Sequence, residues 1–170
     1  MRRKGTDKYS FISYNRTKGF YEYDVIDNLH IQSNILVTLD VRQLRKLDWI
    51  NSERKRIANY YLNELKGIDG LNFLRIPEYT EPNWHIFGVL VNPEDKYWIM
   101  DAIRAEGIMC NVHYIPLHRN KFYRGLSSDE EMPGAVEFYN KLLRLPIYPS
   151  LTAKERRIIV DGVKKVFNYD

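Results

Sequence analysis

The chain is poor in several things that would each have named a class of protein. It holds a single cysteine, Cys110, in 170 residues. That excludes an intramolecular disulfide and fits a reducing compartment. Its apolar runs are only strand-length, so nothing reads as a bilayer span, and no membrane partner is expected. The basic start Met1-Arg2-Arg3-Lys4 has no apolar segment behind it, which argues against a secretory signal. Glycine-rich phosphate fingerprints are missing. No GxSxG surrounds Ser10, Ser13 or Ser33, and no CxxC or HExxH motif is present, so the serine-hydrolase and common zinc classes have no footing. Charge of one sign is also scarce. The net charge is +4, but the bases alternate with acids, as in Ser52-Glu53-Arg54-Lys55-Arg56. Such interleaving suits a solvated helix face rather than a phosphate-tracking stripe, and no nucleic-acid partner is expected.

With 44% hydrophobic and 28% charged residues, the chain is a globular domain large enough for its own core. Residues 1–34 show no clean period. They read as an extended crossing segment with one short strand at 20–26 and a cluster of tyrosines (Tyr9, Tyr14, Tyr21, Tyr23). From about Ile35, Val41, Leu44, Leu47, Ile50, Ile57, Tyr61 and Leu65 recur at helical steps. The spacing predicts one long helix stopped by Lys66-Gly67. Strands are expected at 72–76 and 84–91 as antiparallel partners, then a helix capped by Asn92-Pro93 and running to Gly107. A strand at 108–114, a helix at 135–144 and a final helix opened by a Thr152/Glu155 capping box complete the reading. The sum is an α+β domain with a mostly antiparallel three-stranded sheet, a long leading helix and flanking helices.

The most informative stretch is Ile108-Met109-Cys110-Asn111-Val112-His113-Tyr114-Ile115-Pro116-Leu117-His118. It begins with β-favouring residues and is stopped by Pro116, so it carries His113, Tyr114 and His118 to a strand end. Such rims are where small-molecule sites are built. The same residues also suit a structural loop with histidines bonded to backbone carbonyls. His85, between Trp84 and Phe87, reads as a satisfied, partly buried histidine. Cys110 and His113 lie an odd number of residues apart on the expected strand and so face opposite ways, which argues against a metal site. Asp129, Glu130 and Glu131 read as a solvated charge run, and every lysine as belonging to a helix surface, a loop or the tail.

Five strings, in order, resemble the DegT/DnrJ/StrS family of pyridoxal-phosphate-dependent nucleotide-sugar aminotransferases. Lys4-Gly5-Thr6 looks like its KGT. Gln43-Leu44-Arg45-Lys46-Leu47-Asp48 looks like its QLxxLD, continued by Ile50-Asn51-Ser52-Glu53-Arg54. Asn83-Trp84-His85-Ile86-Phe87 looks like its NxHxF, and residues 113–118 spell its HYxPLH. Leu142-Leu143-Arg144-Leu145-Pro146-Ile147-Tyr148 looks like its closing LLRLPxY. The resemblance is nearest to the dTDP-4-keto-6-deoxyhexose transaminase branch.

What this resemblance implies is specific. The fold would be the C-terminal small domain of the type I PLP-dependent transferase, with residues 1–34 as the interdomain crossing and 35–170 as the small domain. The Schiff-base lysine and the acid that pairs with the pyridine nitrogen would lie in a large domain preceding Met1. The chain would therefore hold no cofactor and perform no transamination alone, and no residue in it would be catalytic. His113, Tyr114 and His118 would face the nucleotide sugar, and the partner would be a large-domain chain or a second copy. A free-standing nucleotide-sugar-binding module and a folded remnant without function are the alternative readings. Two departures favour a relaxed cofactor-facing edge. Asp27-Asn28-Leu29-His30-Ile31 stands where relatives carry a polar GYNYR- or GSSY-type string, and Val37-Thr38-Leu39-Asp40 replaces a small AAxxG/W stretch. An acid beside a phosphate dianion is repulsive, and leucine offers it no donor.

Overall fold

A computed structural model describes residues 34–168, with side chains from Thr38 onward. The expectations for residues 1–33, including the crossing segment, the strand at 20–26, the tyrosine cluster and the departure at 27–31, lie outside the described residues.

The predicted long helix is two helices, α1 (Asn34–Leu44) and α2 (Leu47–Glu64). Neither glycine nor proline marks the break. The ladder tightens there instead: the Lys46 amide bonds back three residues to the Gln43 carbonyl at 3.0 Å, and Ile50 restarts the four-residue pattern on Lys46 at 2.9 Å. The rear half of α2 buries Ile57, Ala58 and Tyr61, spaced so that they share one face, and Leu65 follows them into the core. Gly67 takes φ +80, open to a residue without Cβ, as the chain turns away.

β1 (Asn72–Phe73) and β2 (Phe87–Leu90) pair antiparallel with Phe73 opposite Val89. Both are shorter than predicted. Leu74, Arg75 and Ile76 leave the ladder before Pro77, and Trp84 sits at φ +50, a turn conformation that ends strand geometry on the other side. After β2, Asn92 does not cap a helix directly. Its Oδ1 accepts from the Glu94 amide at 3.2 Å and its Nδ2 donates to Asp95 at 2.9 Å, forming a turn that delays α3 to Lys96–Ala105. Gly107, at φ +79, closes α3 with paired bonds, Gly107 N–H to Arg104 and Ile108 N–H to Ile103. This is the left-handed glycine stop the sequence predicts.

The sheet has three antiparallel strands in the order β1-β2-β3, but the third strand is not the predicted one. α4 (Pro133–Lys141) ends one residue before β3 (Leu142–Leu145), which pairs with β2 from Phe87–Leu145 to Leu90–Leu142. Residues 108–114 contribute only one reciprocal pair at β3's outer edge. Asn111 N–H reaches the Arg144 carbonyl at 3.2 Å, and Arg144 N–H reaches that of Asn111 at 2.8 Å. β3 wins because its leucines are almost wholly buried between layers, whereas Met109 and Tyr114 stay exposed.

α5 (Ala153–Phe167) opens with the expected capping box, Glu155 N–H on Thr152 Oγ1 at 3.2 Å and Thr152 N–H on the Glu155 carboxylate at 2.7 Å. It presses on α2 and α3, and Ile159, Val160, Val163 and Val166 complete the core, while Ile158 of the expected stripe stays half-exposed. Gly162 permits the close approach, since a Cβ there would stand 2.5 Å from Ile108 Cδ1 and 3.3 Å from Glu106 Cβ. No helix among the described residues is long and apolar enough to cross a membrane.

Candidate binding cavity

A cavity of about 480 Å³ opens on the face of the sheet lined by Gly88 and Leu142. The long β1–β2 connection supplies one wall, through Leu74, Arg75, Thr80, Asn83, Trp84 and His85. Phe138 of α4 and the His113-Tyr114 pair supply the other. Gly88 keeps the floor low: a Cβ would meet Leu142 Cδ1 at 2.9 Å and Leu74 Cδ1 at 3.0 Å. Trp84 stacks on Phe87 with centroids 5.8 Å apart. The charged and titratable groups in the lining are Arg75, His85, His113 and Tyr114, and the lining contains neither a carboxylate nor a lysine. The lining is chiefly apolar, with Arg75 as its one fixed charge, and suits a ring that carries a polar or anionic group at one side.

Of the three residues singled out from sequence, His113 and Tyr114 share this wall, their rings edge-on with centroids 4.2 Å apart. His118 has gone elsewhere. The 3₁₀ turn Leu117–Arg119 points it at the loop before α4, where its Nε2 lies 2.8 Å from Asp129 Oδ1. Arg119 grips the same carboxylate with two bonds of 2.9 and 2.6 Å. Arg119 first and His118 second hold the Asp129 carboxyl well below the usual carboxylate range. The acidic loop is therefore bonded rather than a merely solvated run: Glu131 also accepts from Ser127 Oγ and the Ser128 amide, both at 2.9 Å. His85 is exposed rather than partly buried, and its Nδ1 lies 2.9 Å from Asn83 Oδ1.

His113 has the most distinctive surroundings. Its Nε2 lies 3.0 Å from Nη1 of Arg144. Arginine has only donors, so Nε2 accepts. Burial above all, then the positive Arg144 and His85 nearby, pushes the imidazole down to about 4. Its other nitrogen, Nδ1, is buried and has no partner. Nothing in the sequence ties Arg144 to this site, because it stands 31 residues from His113 in a different motif.

One lysine breaks the expectation that all are peripheral. Lys96, at the head of α3, is 1% exposed, donates to the Tyr139 carbonyl in the last turn of α4, and sits 4.1 Å from the centre of the Tyr139 ring. Burial pushes it down to about 8. Cys110 is likewise buried, which pushes its thiol up to about 11 and keeps it inert.

The family model for DegT/DnrJ/EryC1/StrS aminotransferases matches residues 13–164. The chain belongs to this family. The dTDP-3-amino-3,4,6-trideoxy-alpha-D-glucose transaminase of Streptomyces venezuelae is 31% identical over 125 residues, 72% of this chain and 32% of that protein. The UDP-4-amino-4,6-dideoxy-N-acetyl-beta-L-altrosamine transaminase of Campylobacter jejuni is 27% identical over 132 residues, 76% of this chain and 35% of that one. Among solved structures, S. venezuelae DesV in complex with a ketimine intermediate superposes with a TM-score of 0.71 at 30% identity, covering 78% of this chain and 36% of DesV. The chain thus spans about a third of the length of these relatives. Homologues of this family are sugar aminotransferases of deoxyamino-sugar and polysaccharide biosynthesis, and the family uses pyridoxal phosphate.

The lining of this cavity does not by itself fit that cofactor. The cavity offers no amine for a Schiff base and no carboxylate to pair with a pyridine nitrogen. The buried Lys96 amine is not part of the lining and is spent on the Tyr139 carbonyl.

Proposed function

We propose that the chain is the small-domain portion of a nucleotide-sugar aminotransferase, and that its cavity receives part of a nucleotide-linked deoxyhexose of the dTDP class. The observation that carries this is the composition of the lining. Arg75 brings a fixed positive charge suited to a diphosphate. Trp84 and Tyr114 offer faces to a base or sugar ring, and no carboxylate repels the anion. His118 serves through the Asp129 clamp, which fixes the turn following His113-Tyr114. The Schiff-base lysine belongs to a large domain, carried on the same polypeptide or on another chain. Without that domain residues 34–168 bind no cofactor covalently and do not transaminate.

The docking surface for this domain, or for a second copy, is the front of the helical pair. Leu39, Val41, Leu44, Leu47 and Trp49 are all about half exposed or more there. Such an apolar patch on a soluble domain marks an interface.

Titration with a dTDP-linked sugar, followed by the histidine NMR signals, tests the reading. With only part of a pocket, affinity in roughly the millimolar range is expected, with His113 and His85 moving and His118 still. Four unmoved histidines at saturating ligand would sink it. Borohydride trapping with pyridoxal phosphate, mapped by mass, should label no lysine stoichiometrically.

A further inference from the structure

The HYxPLH and LLRLPxY strings meet at one hydrogen bond, Arg144 Nη1 to His113 Nε2 at 3.0 Å. That bond has a consequence for the proton on the ring. A guanidinium cannot accept, so Nε2 must be the bare nitrogen and a neutral His113 must carry its proton on Nδ1. The Arg144 guanidinium bonded to the ring opposes a second proton. Nδ1–H is thus a fixed donor, buried and without an acceptor, on a residue that lines the cavity. A buried donor left unmet bears its whole desolvation penalty, and native structures rarely retain one without a use.

We propose that Arg144 is a positioning residue that fixes His113 as a neutral Nδ1–H donor, and that this donor meets an acceptor oxygen of the ligand in the cavity. The inference rests on the nucleotide-sugar reading of that cavity. The half-exposed Tyr114 stands edge-on to the imidazole on the same wall. A donor that stays neutral near pH 7 selects for an oxygen acceptor without adding attraction for anions in general. Arg75 then supplies the charge, and His113 the choice among anions.

The tautomer is measured on the 170-residue chain by imidazole nitrogen NMR. The expected result is a proton on Nδ1, a bare Nε2 and a titration midpoint near 4. Arg144→Met should raise the midpoint only in part, since the burial of the ring remains, and move the proton to Nε2. Should that variant not fold, the wild-type spectrum alone decides the tautomer. The ligand arm uses dTDP. The amide nitrogen of asparagine stands near the place of Nδ1, whereas that of glutamine stands near Nε2. His113→Asn should therefore bind dTDP within about threefold of wild type, and His113→Gln about tenfold more weakly or worse. A proton found on Nε2, or equal binding by the Asn and Gln variants, overturns the donor role and leaves the cavity reading standing. If wild type fails to bind dTDP at any concentration, the cavity reading fails first and the donor role falls with it.

Discussion

The front and the rear of the leading helical pair carry the same apolar spacing and have opposite fates. In the rear of α2, Ile57, Ala58, Tyr61 and Leu65 have no exposed surface at all. In α1 and the front of α2, Leu44 is 65% exposed and Trp49 54%. The stripe is continuous in sequence, so its period says where an apolar face is and not what covers it. The rear is closed by α5 and the sheet, and by Tyr61 Oη donating to the Pro146 carbonyl at 3.0 Å. Two kinds of surface follow from one pattern, a core and an exposed apolar face.

Substitutions can break or sharpen this contrast. The largest effect is expected at Leu143→Ala, which removes a side chain with no exposed surface from β3. It should cost about 3 to 4 kcal/mol in urea unfolding. A cost under about 1 kcal/mol would mean the packed region is looser than described.

Lys96→Met comes next and carries a pH signature. The folded chain holds this amine near 8 and the unfolded chain near 10.5, so the unfolded state binds more protons between those values. Wild-type stability should therefore rise, relative to the variant, as pH climbs from 8 to 10.5, by on the order of 2 kcal/mol. Below pH 8 the variant should keep a constant advantage. Taking the difference cancels the titrating groups that do not touch Lys96.

Thr152→Ala removes one half of the capping box and should lower stability by about 1 kcal/mol, with Thr152→Ser largely restoring it. The smallest effect sharpens the contrast most. Leu44→Ala should change the stability of the chain alone by within about 0.5 kcal/mol, because its side chain faces water. The same change should weaken association in sedimentation at micromolar concentration. A large loss of stability in the monomer would show that the face is already covered.

Much of this was legible in the sequence. The capping box, the Gly107 stop and the apolar faces of α2, α3 and α5 depend on residues within a few positions of one another, and the antiparallel pairing of β1 with β2 joins strands that are neighbours in the sequence. The boundary at Lys141 was not, for a physical reason. Phe138, Leu142 and Leu145 continue helical spacing, so the period runs straight through the change to strand. Only pairing with β2, more than 50 positions away, decides it. Residues 108–114 fail as a strand for the complementary reason, since β-favouring side chains do not supply a partner beyond Asn111. At the cavity, the sequence pointed to His113 and Tyr114 on their motif, but gave no sign that the turn at Leu117–Arg119 would hand His118 to Asp129. Arg144, Arg75 and His85 came into view only when strands distant in sequence were placed side by side.

The join between α4 and β3 bears on how such a cavity diversifies over generations. Phe138 and Leu142 line it from either side of a junction that contains no spare residue. One inserted residue would turn the helix by about 100° against the strand, or exchange the inner and outer faces of Leu142–Leu145. Insertions and deletions are therefore barred from this wall, which can change only by replacing one side chain with another. The opposite wall, the connection from Leu74 to Ile86, carries no ladder and tolerates changes of length. Descendants of this protein that adapt to ligands of new size should show gaps in the alignment there and point changes at Phe138 and Leu142.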